Sequence, residues 1–236
     1  MGPNETPRRT VTAYVAVGTL HGYTGVPFSI LQRHMAVTVD YYHFLISPWS
    51  YLSIGRLNAL RDRTGCSVRY LPIDVGGTFS EMGGTPPGKR HPSRQSWRLE
   101  ELQRFSDFLA VPMNLQPAFF PADQSLASRL VLAAGDLDDG KSAGRLSDAV
   151  LTACWRDEAN VADRSTLEAL VTSVGLDANA LVTAADTDAL SERYAATTTE
   201  AHSRGVFGSP TFMVGEERFW GQDRLDFLEA AIVKAG

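Results

Sequence analysis

A hydroxyl-bearing segment at the start of a predicted helix is the part of this 236-residue sequence best placed to do chemistry. The tetrad Ser47–Ser50, which reads Ser-Pro-Trp-Ser, follows an apolar run that ends at Ile46. Ser47 suits the N-cap position and Pro48 suits the first helical position. The N-terminus of a helix carries unpaired backbone N–H groups and the positive end of the helix dipole, so it stabilises a thiolate or another anion.

Ser47 has two interpretations on this evidence. In the first it is a structural N-cap, the usual role of a Ser-Pro pair before an apolar helix. In the second its hydroxyl hydrogen-bonds a thiolate that a bound cofactor supplies. The sequence contains two cysteines, Cys66 and Cys154, and no Cys-x-x-Cys pair. That absence argues against a disulfide oxidoreductase, and both cysteines are predicted to be inert packing residues.

The composition of the chain is that of a globular protein and argues against several functional classes. A hydrophobic content of 44%, a charged content of 21% and a net charge of −5 are ordinary for a globular protein. The negative charge argues against nucleic acid or an anionic membrane as a partner. Two cysteines make no disulfide scaffold and favour a reducing cytoplasm. The five histidines follow no metal-ligand spacing, so no metal site is predicted.

The chain order predicts a fold in two separated halves. Residues 1–35 are interpreted as a disordered or mis-annotated leader. A strand that ends at Ile46, the helix after it and a second strand over Ser67–Ile73 form a βαβ unit. The segment Val75–Pro92, rich in glycine and proline, is predicted to be an irregular functional loop at the carboxyl end of a strand.

The rest of the chain is helical and then returns to strands. Residues 93–204 carry apolar stripes at helical spacing, including one helix that Ser165 is predicted to cap. Residues 205–236 read as a strand after Pro210, a hairpin and a closing helix, and Pro210 is a candidate cis-proline. The predicted class is α/β, a thioredoxin-like fold with a large all-helical insertion between its βαβ and ββα halves. The expected domains are 36–76 with 205–236, and 77–204 for the insertion.

Several motifs, in order and from about Val37 to the C-terminus, resemble the 2-hydroxychromene-2-carboxylate isomerase family. This family is close to kappa-class glutathione transferases and to DsbA-like oxidoreductases. Gly84 and Asp123 differ from the residues that the family often has, and both positions lie on the acceptor side of the expected site. The motifs that carry the resemblance are Phe44–Leu52, Gly83–Pro87, Phe119–Ala122, Gly205–Phe212 and Phe219–Leu225.

The resemblance implies a bound cofactor, glutathione or another low-molecular-weight thiol, lying across the thioredoxin half. Ser47 is then the catalytic residue that hydrogen-bonds the thiolate. The backbone of Ser209, before Pro210, pairs with the cysteinyl part of the tripeptide. Gln222 and Asp223, at the start of the last helix, match the positions that hold its γ-glutamyl end.

The resemblance also implies a reaction and a pocket for a small-molecule substrate. The thiolate adds to a conjugated carbonyl substrate, rotation follows about the former double bond, and the thiol leaves unchanged. Lys89, Trp97, Phe120 and Pro121 are expected to line the pocket between the two halves. A kappa-like glutathione transferase and a catalytically silent thioredoxin-fold binding module are the alternatives, and a homodimer is an open possibility for assembly.

Overall fold

A four-stranded mixed sheet and nine α-helices make up the part of the chain that the computed structural model describes, residues 36–236. The interpretation of residues 1–35 as a leader lies outside the described residues. The strands are β1 (Thr38–His43), β2 (Ser67–Pro72), β3 (Thr211–Val214) and β4 (Glu217–Trp220). The helices are α1 (Pro48–Thr64), α2 (Val75–Glu81), α3 (Pro92–Leu109), α4 (Ser125–Ala134), α5 (Lys141–Trp155), α6 (Arg164–Ser173), α7 (Ala178–Ala185), α8 (Asp188–Ser203) and α9 (Leu225–Ala235). Short 3₁₀ helices cover Pro87–Lys89 and Gln222–Arg224.

The sheet order, β2-β1-β3-β4, confirms the predicted thioredoxin-like class. Strands β1 and β2 are parallel, as a βαβ crossover requires, and β3 runs antiparallel to β1. In this register Tyr41 lies opposite Phe212, and their rings stack with centroids 4.9 Å apart. The two halves of the fold therefore meet in the centre of one sheet, although the helices α2 to α8 separate them along the chain.

Side chains alternate between the two faces of β1. Val39 and Tyr41 belong to the main hydrophobic core, which helices α1, α3, α4, α5, α6, α7 and α9 share. Tyr42 points to the other face and packs with Ile73, and with Ala201 of α8, in a smaller cluster. This period of two places apolar residues on both faces, so β1 is buried between helical layers.

Helix α1 begins and ends where its sequence predicts. Ser47 is the N-cap and Pro48 the first residue. Gly65 is the C-cap, with a φ of 67°, a left-handed conformation that glycine adopts without a steric cost. The strand before α1 is shorter than predicted, because β1 ends at His43 and the chain turns through a Ser47 N–H···O hydrogen bond to Phe44.

Two other expectations are wrong. The segment after β2 is not an irregular loop throughout, since Asp74 caps α2 by accepting from the N–H groups of Gly76 and Gly77. Helix α6 has Asp163 as its N-cap and not Ser165, whose hydroxyl instead donates to the Asp163 carboxylate at 2.5 Å. In both places an aspartate outcompetes the weaker signal that the sequence suggested.

Within residues 36–236, no helix combines the length and the apolar composition that crossing a membrane would require.

Candidate functional site

The Ser47 hydroxyl lies at the N-terminus of α1 and faces the loop before β3. Its Oγ accepts a hydrogen bond from Ser50 N–H at 3.3 Å and donates one to the main-chain oxygen of Ser209 at 3.5 Å. The first turn of α1 carries no acidic residue, so nothing there offsets the positive end of the helix dipole. A donation at 3.5 Å is weak, which leaves the hydroxyl proton available for a better acceptor.

The loop that faces Ser47 contains the predicted cis-proline. The Ser209–Pro210 peptide bond is cis, and both residues are buried. The Ser209 hydroxyl accepts from Phe44 N–H at 2.8 Å and pairs with the Ser50 hydroxyl, also at 2.8 Å. Both serines of the Ser-Pro-Trp-Ser tetrad thus contact Ser209. The Ser47 hydroxyl contacts the main-chain oxygen of Ser209, and the Ser50 hydroxyl contacts its side-chain hydroxyl.

His43, at the end of β1, cannot act as a general base for Ser47, because both of its ring nitrogens already have hydrogen-bond partners. Its Nδ1 lies 3.1 Å from the Tyr41 main-chain oxygen, which only accepts, so Nδ1 carries the proton. Its Nε2 then accepts from the Ser147 hydroxyl at 2.8 Å. Burial lowers the pKa of His43 to about 4, so the ring stays neutral. Both ring nitrogens of His43 are therefore engaged by Tyr41 and Ser147, and neither contacts the Ser47 hydroxyl.

The two residues predicted to hold the γ-glutamyl end lie beside the proline loop. Gly221 N–H donates to the Pro210 main-chain oxygen at 2.9 Å, which ties the start of the last helical segment to the loop. Gln222 is buried, and Arg56 of α1 donates to both its main-chain oxygen and its Oε1. Asp223 is exposed and its carboxylate lies 3.6 Å from the Arg224 guanidinium.

The predicted substrate-side residues lie in a separate group. The Phe120 ring is 4.9 Å from the Trp155 ring, and the Phe120–Pro121 peptide bond is also cis. Lys89 and Pro121 are exposed, and Trp97 on α3 is 56% exposed. Within the described part of the chain, no hydrogen bond or ring contact joins these four to Ser47. The structure therefore brings Ser47 and Ser209 together, with Gln222 next to the proline loop, while the role of these residues in thiol binding and the lining of the pocket stay predictions.

The cysteines lie away from this chemistry. Cys66 and Cys154 are both buried and free. Burial raises the pKa of the Cys154 thiol to about 12, so it holds its proton at neutral pH. Among residues 36–236, no group of three histidine, cysteine, aspartate or glutamate side chains is arranged to hold a metal ion.

Sequence reasoning missed two residues of this site. Ser50 had a signal, because it occupies the second hydroxyl position of the tetrad. Arg56 had none, since an arginine on a helix is ordinary and its partner Gln222 lies 166 residues away. The side chain of Ser209 was also overlooked, because the resemblance assigns a role to its backbone alone.

The sequence of the chain is similar to those of known proteins with a thioredoxin-like fold. A model of the DSBA-like thioredoxin domain family matches residues 38–233. The 2-hydroxychromene-2-carboxylate isomerase of Pseudomonas sp. (strain C18) is 34% identical over 202 residues, covering 84% of this chain and 91% of that protein. The protein of the same name from Sphingobium xenophagum is 32% identical over 200 residues, covering 84% of this chain and 100% of that protein.

A solved structure extends the likeness to three dimensions. The structure of a 2-hydroxychromene-2-carboxylate isomerase superposes with a TM-score of 0.70 at 28% identity, covering 84% of this chain and 95% of that one. The residues that the family model matches, 38–233, include both halves of the sheet, the helices between them and the Ser47 and Pro210 segments. The chain belongs to the 2-hydroxychromene-2-carboxylate isomerase family, within the DSBA-like thioredoxin domain family.

Proposed function

We propose that this chain is a thiol-dependent isomerase that uses glutathione to isomerise a conjugated carbonyl substrate of the 2-hydroxychromene-2-carboxylate type. One observation carries the proposal. The Ser47 hydroxyl stands at the α1 N-terminus, next to the Ser209 carbonyl and the cis-Pro210 peptide, in a tetrad that has no cysteine. A site with this geometry favours an external thiolate, because the protein supplies the stabilising groups and lacks the sulfur.

The residues have distinct roles in this proposal. Ser47 turns its hydroxyl proton from the Ser209 carbonyl to the bound thiolate, a charge-assisted hydrogen bond that is stronger than the one it replaces. Its acceptance from Ser50 N–H keeps the oxygen in place during that change. The backbone of Ser209 pairs with the cysteinyl part of glutathione, and Gln222 and Asp223 hold the γ-glutamyl part.

The thiolate then acts as a nucleophilic catalyst. The hemiketal ring of the substrate first opens, which breaks its C–O bond and gives a phenol and a free ketone conjugated to the double bond. The thiolate then adds to that carbon–carbon double bond, whose electron pair moves to the ketone oxygen as an enolate. The former double bond is now single and rotates. Collapse of the enolate restores the double bond and expels the thiolate, so glutathione is neither consumed nor oxidised.

The test is a rate measurement with 2-hydroxychromene-2-carboxylate, with and without glutathione, followed by analysis of the thiol. We expect turnover that requires glutathione, with the free thiol recovered quantitatively after many turnovers. Loss of free thiol in step with product would show a kappa-like transferase instead. Failure to bind glutathione in calorimetry, together with no turnover, would show a binding module without this activity.

A further inference from the structure

A guanidinium on α3 lies over two aromatic rings on the substrate side of the fold. The Arg98 Cζ is 5.6 Å from the Phe120 ring centroid and 6.0 Å from that of Trp155. The two rings are themselves 4.9 Å apart, with an angle of 51° between their planes. Phe120 and Arg98 are half-buried, and Trp155 is fully buried. The Arg98 guanidinium therefore packs over these two rings and is still reached by solvent.

The donors at this place have no acceptor within residues 36–236. Arg98 makes no hydrogen bond or ion pair with any of these residues, although its side chain is half-buried. The indole Nε1 of Trp155 is also buried without a partner. The Trp155 donor is fully buried, whereas the Arg98 guanidinium is reached by solvent, so it is the guanidinium that is open to an external acceptor.

The surrounding charge indicates an anionic acceptor. Arg90, Arg94 and Arg98 recur every four residues along the start of α3 and the turn before it. Burial and the nearby charge of Arg90 both lower the pKa of Arg98, and burial and Arg94 do the same for Arg90. No carboxylate of the described residues forms an ion pair with any of the three, so the positive charge there is not neutralised.

The position of Arg98 on α3 relates it to the thiol side of the fold. Phe105 lies two helical turns after Arg98 on the same face of the helix, about 10 Å along its axis. The Phe105 ring meets the Trp49 ring edge to face at 5.9 Å, and Trp49 is the second residue after Ser47. The face of α3 that carries Arg98 is therefore the face that packs against the start of α1.

We propose that Arg98 binds the carboxylate of the isomerase substrate, with Phe120 packing against the substrate's apolar part. The inference rests on the proposed function and assigns the residue that binds the carboxylate of that substrate. A guanidinium offers a planar pair of donors that matches the two oxygens of a carboxylate. The ring beneath it provides an apolar surface of the kind that lines small-molecule sites.

The kinetic test compares Arg98→Met with Arg98→Lys and with a control on the same helix. Arg104→Met is the control, because it removes the same charge from an exposed side chain of α3 that pairs with Glu101. We expect Arg98→Met to raise the KM for 2-hydroxychromene-2-carboxylate about ten- to a hundredfold and to leave the KM for glutathione unchanged. Arg98→Lys should recover part of that loss, and Arg104→Met should behave as the unmodified protein.

A change in the KM for glutathione alone would overturn the proposal, because Arg98 would then bind a carboxylate of the thiol. If Arg98→Met impaired kcat and both KM values to the same extent and also lowered the melting temperature, the proposal would be overturned as well. In that case Arg98 would serve only to pack against Phe120 and Trp155.

A binding test separates this proposal from the proposed function, because it needs no turnover. Cinnamate and the neutral cinnamamide are titrated into the protein in the absence of thiol, and tryptophan fluorescence is followed. We expect cinnamate to bind at least tenfold more tightly than cinnamamide, with the preference lost in Arg98→Met and kept in Arg104→Met. Equal binding of both probes would overturn the role of Arg98 even if the isomerase activity were present. If the unmodified protein preferred cinnamate through Arg98 but showed no isomerase activity, the result would support carboxylate binding by Arg98 and reject the proposed activity.

Discussion

The guanidinium of Arg56 binds Gln222 twice, through hydrogen bonds from Nη2 to the main-chain oxygen and to the side-chain Oε1. Arg56 lies on α1, nine residues after Ser47, so one helix positions both the proposed thiolate partner and the turn that is proposed to hold the γ-glutamyl end. With its Oε1 bound by Arg56, Gln222 keeps its amide N–H groups for another partner. We therefore infer that Arg56 is a positioning residue for the proposed thiol site.

Replacing Arg56 by methionine is expected to weaken thiol binding without slowing the chemistry. The change removes two charge-assisted hydrogen bonds that hold the Gln222 turn, while Ser47 and the Ser209 backbone stay in place. We expect the KM for glutathione to rise about tenfold, corresponding to roughly 1.4 kcal/mol, with kcat changed less than twofold. Steady-state kinetics at saturating substrate measures both parameters.

The chain offers a matched control for Arg56. Arg63, on the same helix, also bridges α1 to the C-terminal segment through Glu229, at 2.7 Å on the surface. Arg63→Met removes the same charge and a similar bridge, and it should leave the KM for glutathione unchanged. If both variants weakened glutathione binding equally, the effect would come from the loss of positive charge and not from the position of Gln222.

Ser209→Ala tests whether the side chain of Ser209 fixes the proline loop. The change leaves the buried Phe44 N–H without its acceptor and the Ser50 hydroxyl without its partner. We expect the free energy of unfolding to fall by roughly 1–3 kcal/mol in urea denaturation. Ser50→Ala should cost less, since Phe44 N–H keeps its bond to Ser209.

The double variant tests whether the Ser50 and Ser209 hydroxyls share a hydrogen bond. Ser50→Ala and Ser209→Ala together should destabilise the protein by less than the sum of the single changes, because they share one hydrogen bond. Additive effects would contradict the pairing of the two hydroxyls.

Asp148 on α5 predicts a pH dependence of stability. It accepts from the Asn58 amide at 2.8 Å, and burial raises its pKa to about 6. The folded state therefore binds this proton more tightly than the unfolded chain, in which aspartates have a pKa of about 4. The stabilising contribution is complete below pH ~4 and is lost as the pH rises through about 6, up to roughly 3 kcal/mol in all.

Asp148→Asn should remove that dependence, because an amide does not titrate and still offers an oxygen to Asn58. Urea denaturation of both proteins from pH 4 to pH 8 gives a difference curve. We expect the variant to gain stability relative to the unmodified protein as the pH rises. His43, whose lowered pKa costs stability as the pH falls from neutrality toward about 4, titrates in both proteins and cancels in the difference. A flat difference curve would mean that the Asp148 carboxyl titrates in the folded protein as it does in the unfolded chain.

Local signals explain what the sequence could predict. Ser47 and Gly65 mark the ends of α1 by cap chemistry that depends on neighbouring residues only, and Pro210 marks the start of β3 in the same way. Helix α2 was missed because Gly76 and Gly77 are poor helix formers, and the carboxylate of Asp74 that binds their N–H groups outweighs this propensity.

Long-range contacts explain the rest. Arg56 with Gln222 and Ser50 with Ser209 are pairs separated by about 160 residues, and such pairs exist only once the two halves share a sheet. The residue type of Arg56 does not distinguish it from an ordinary helix residue, and the position of Ser50 in the tetrad does not reveal that its partner is the Ser209 side chain. The same limit applies to Arg98, whose partners Phe120 and Trp155 come from two other segments of the chain.

Ser47→Ala is the variant that decides between a structural cap and a thiolate partner. If Ser47 donates to the bound thiolate, its loss removes a charge-assisted bond worth roughly 1.5–3 kcal/mol. Turnover at neutral pH should then fall about ten- to a hundredfold. The pKa of bound glutathione should rise, so that part of the lost rate returns as the pH increases. Thiol affinity should fall less than the rate, since Gln222, Asp223 and the Ser209 backbone still hold the tripeptide.

A second N-cap in the chain provides the control. Thr187 caps α8 with its hydroxyl, accepting from Leu190 N–H at 3.3 Å, the same distance as the cap that Ser47 makes to Ser50. Thr187→Ala should cost about 0.5–2 kcal/mol of stability and leave the thiolate titration unchanged. Ultraviolet titration of bound glutathione in both variants separates the two roles. A Ser47→Ala curve identical to that of Thr187→Ala would make Ser47 a cap alone, because a residue that stabilises the thiolate must shift the thiolate's own pKa.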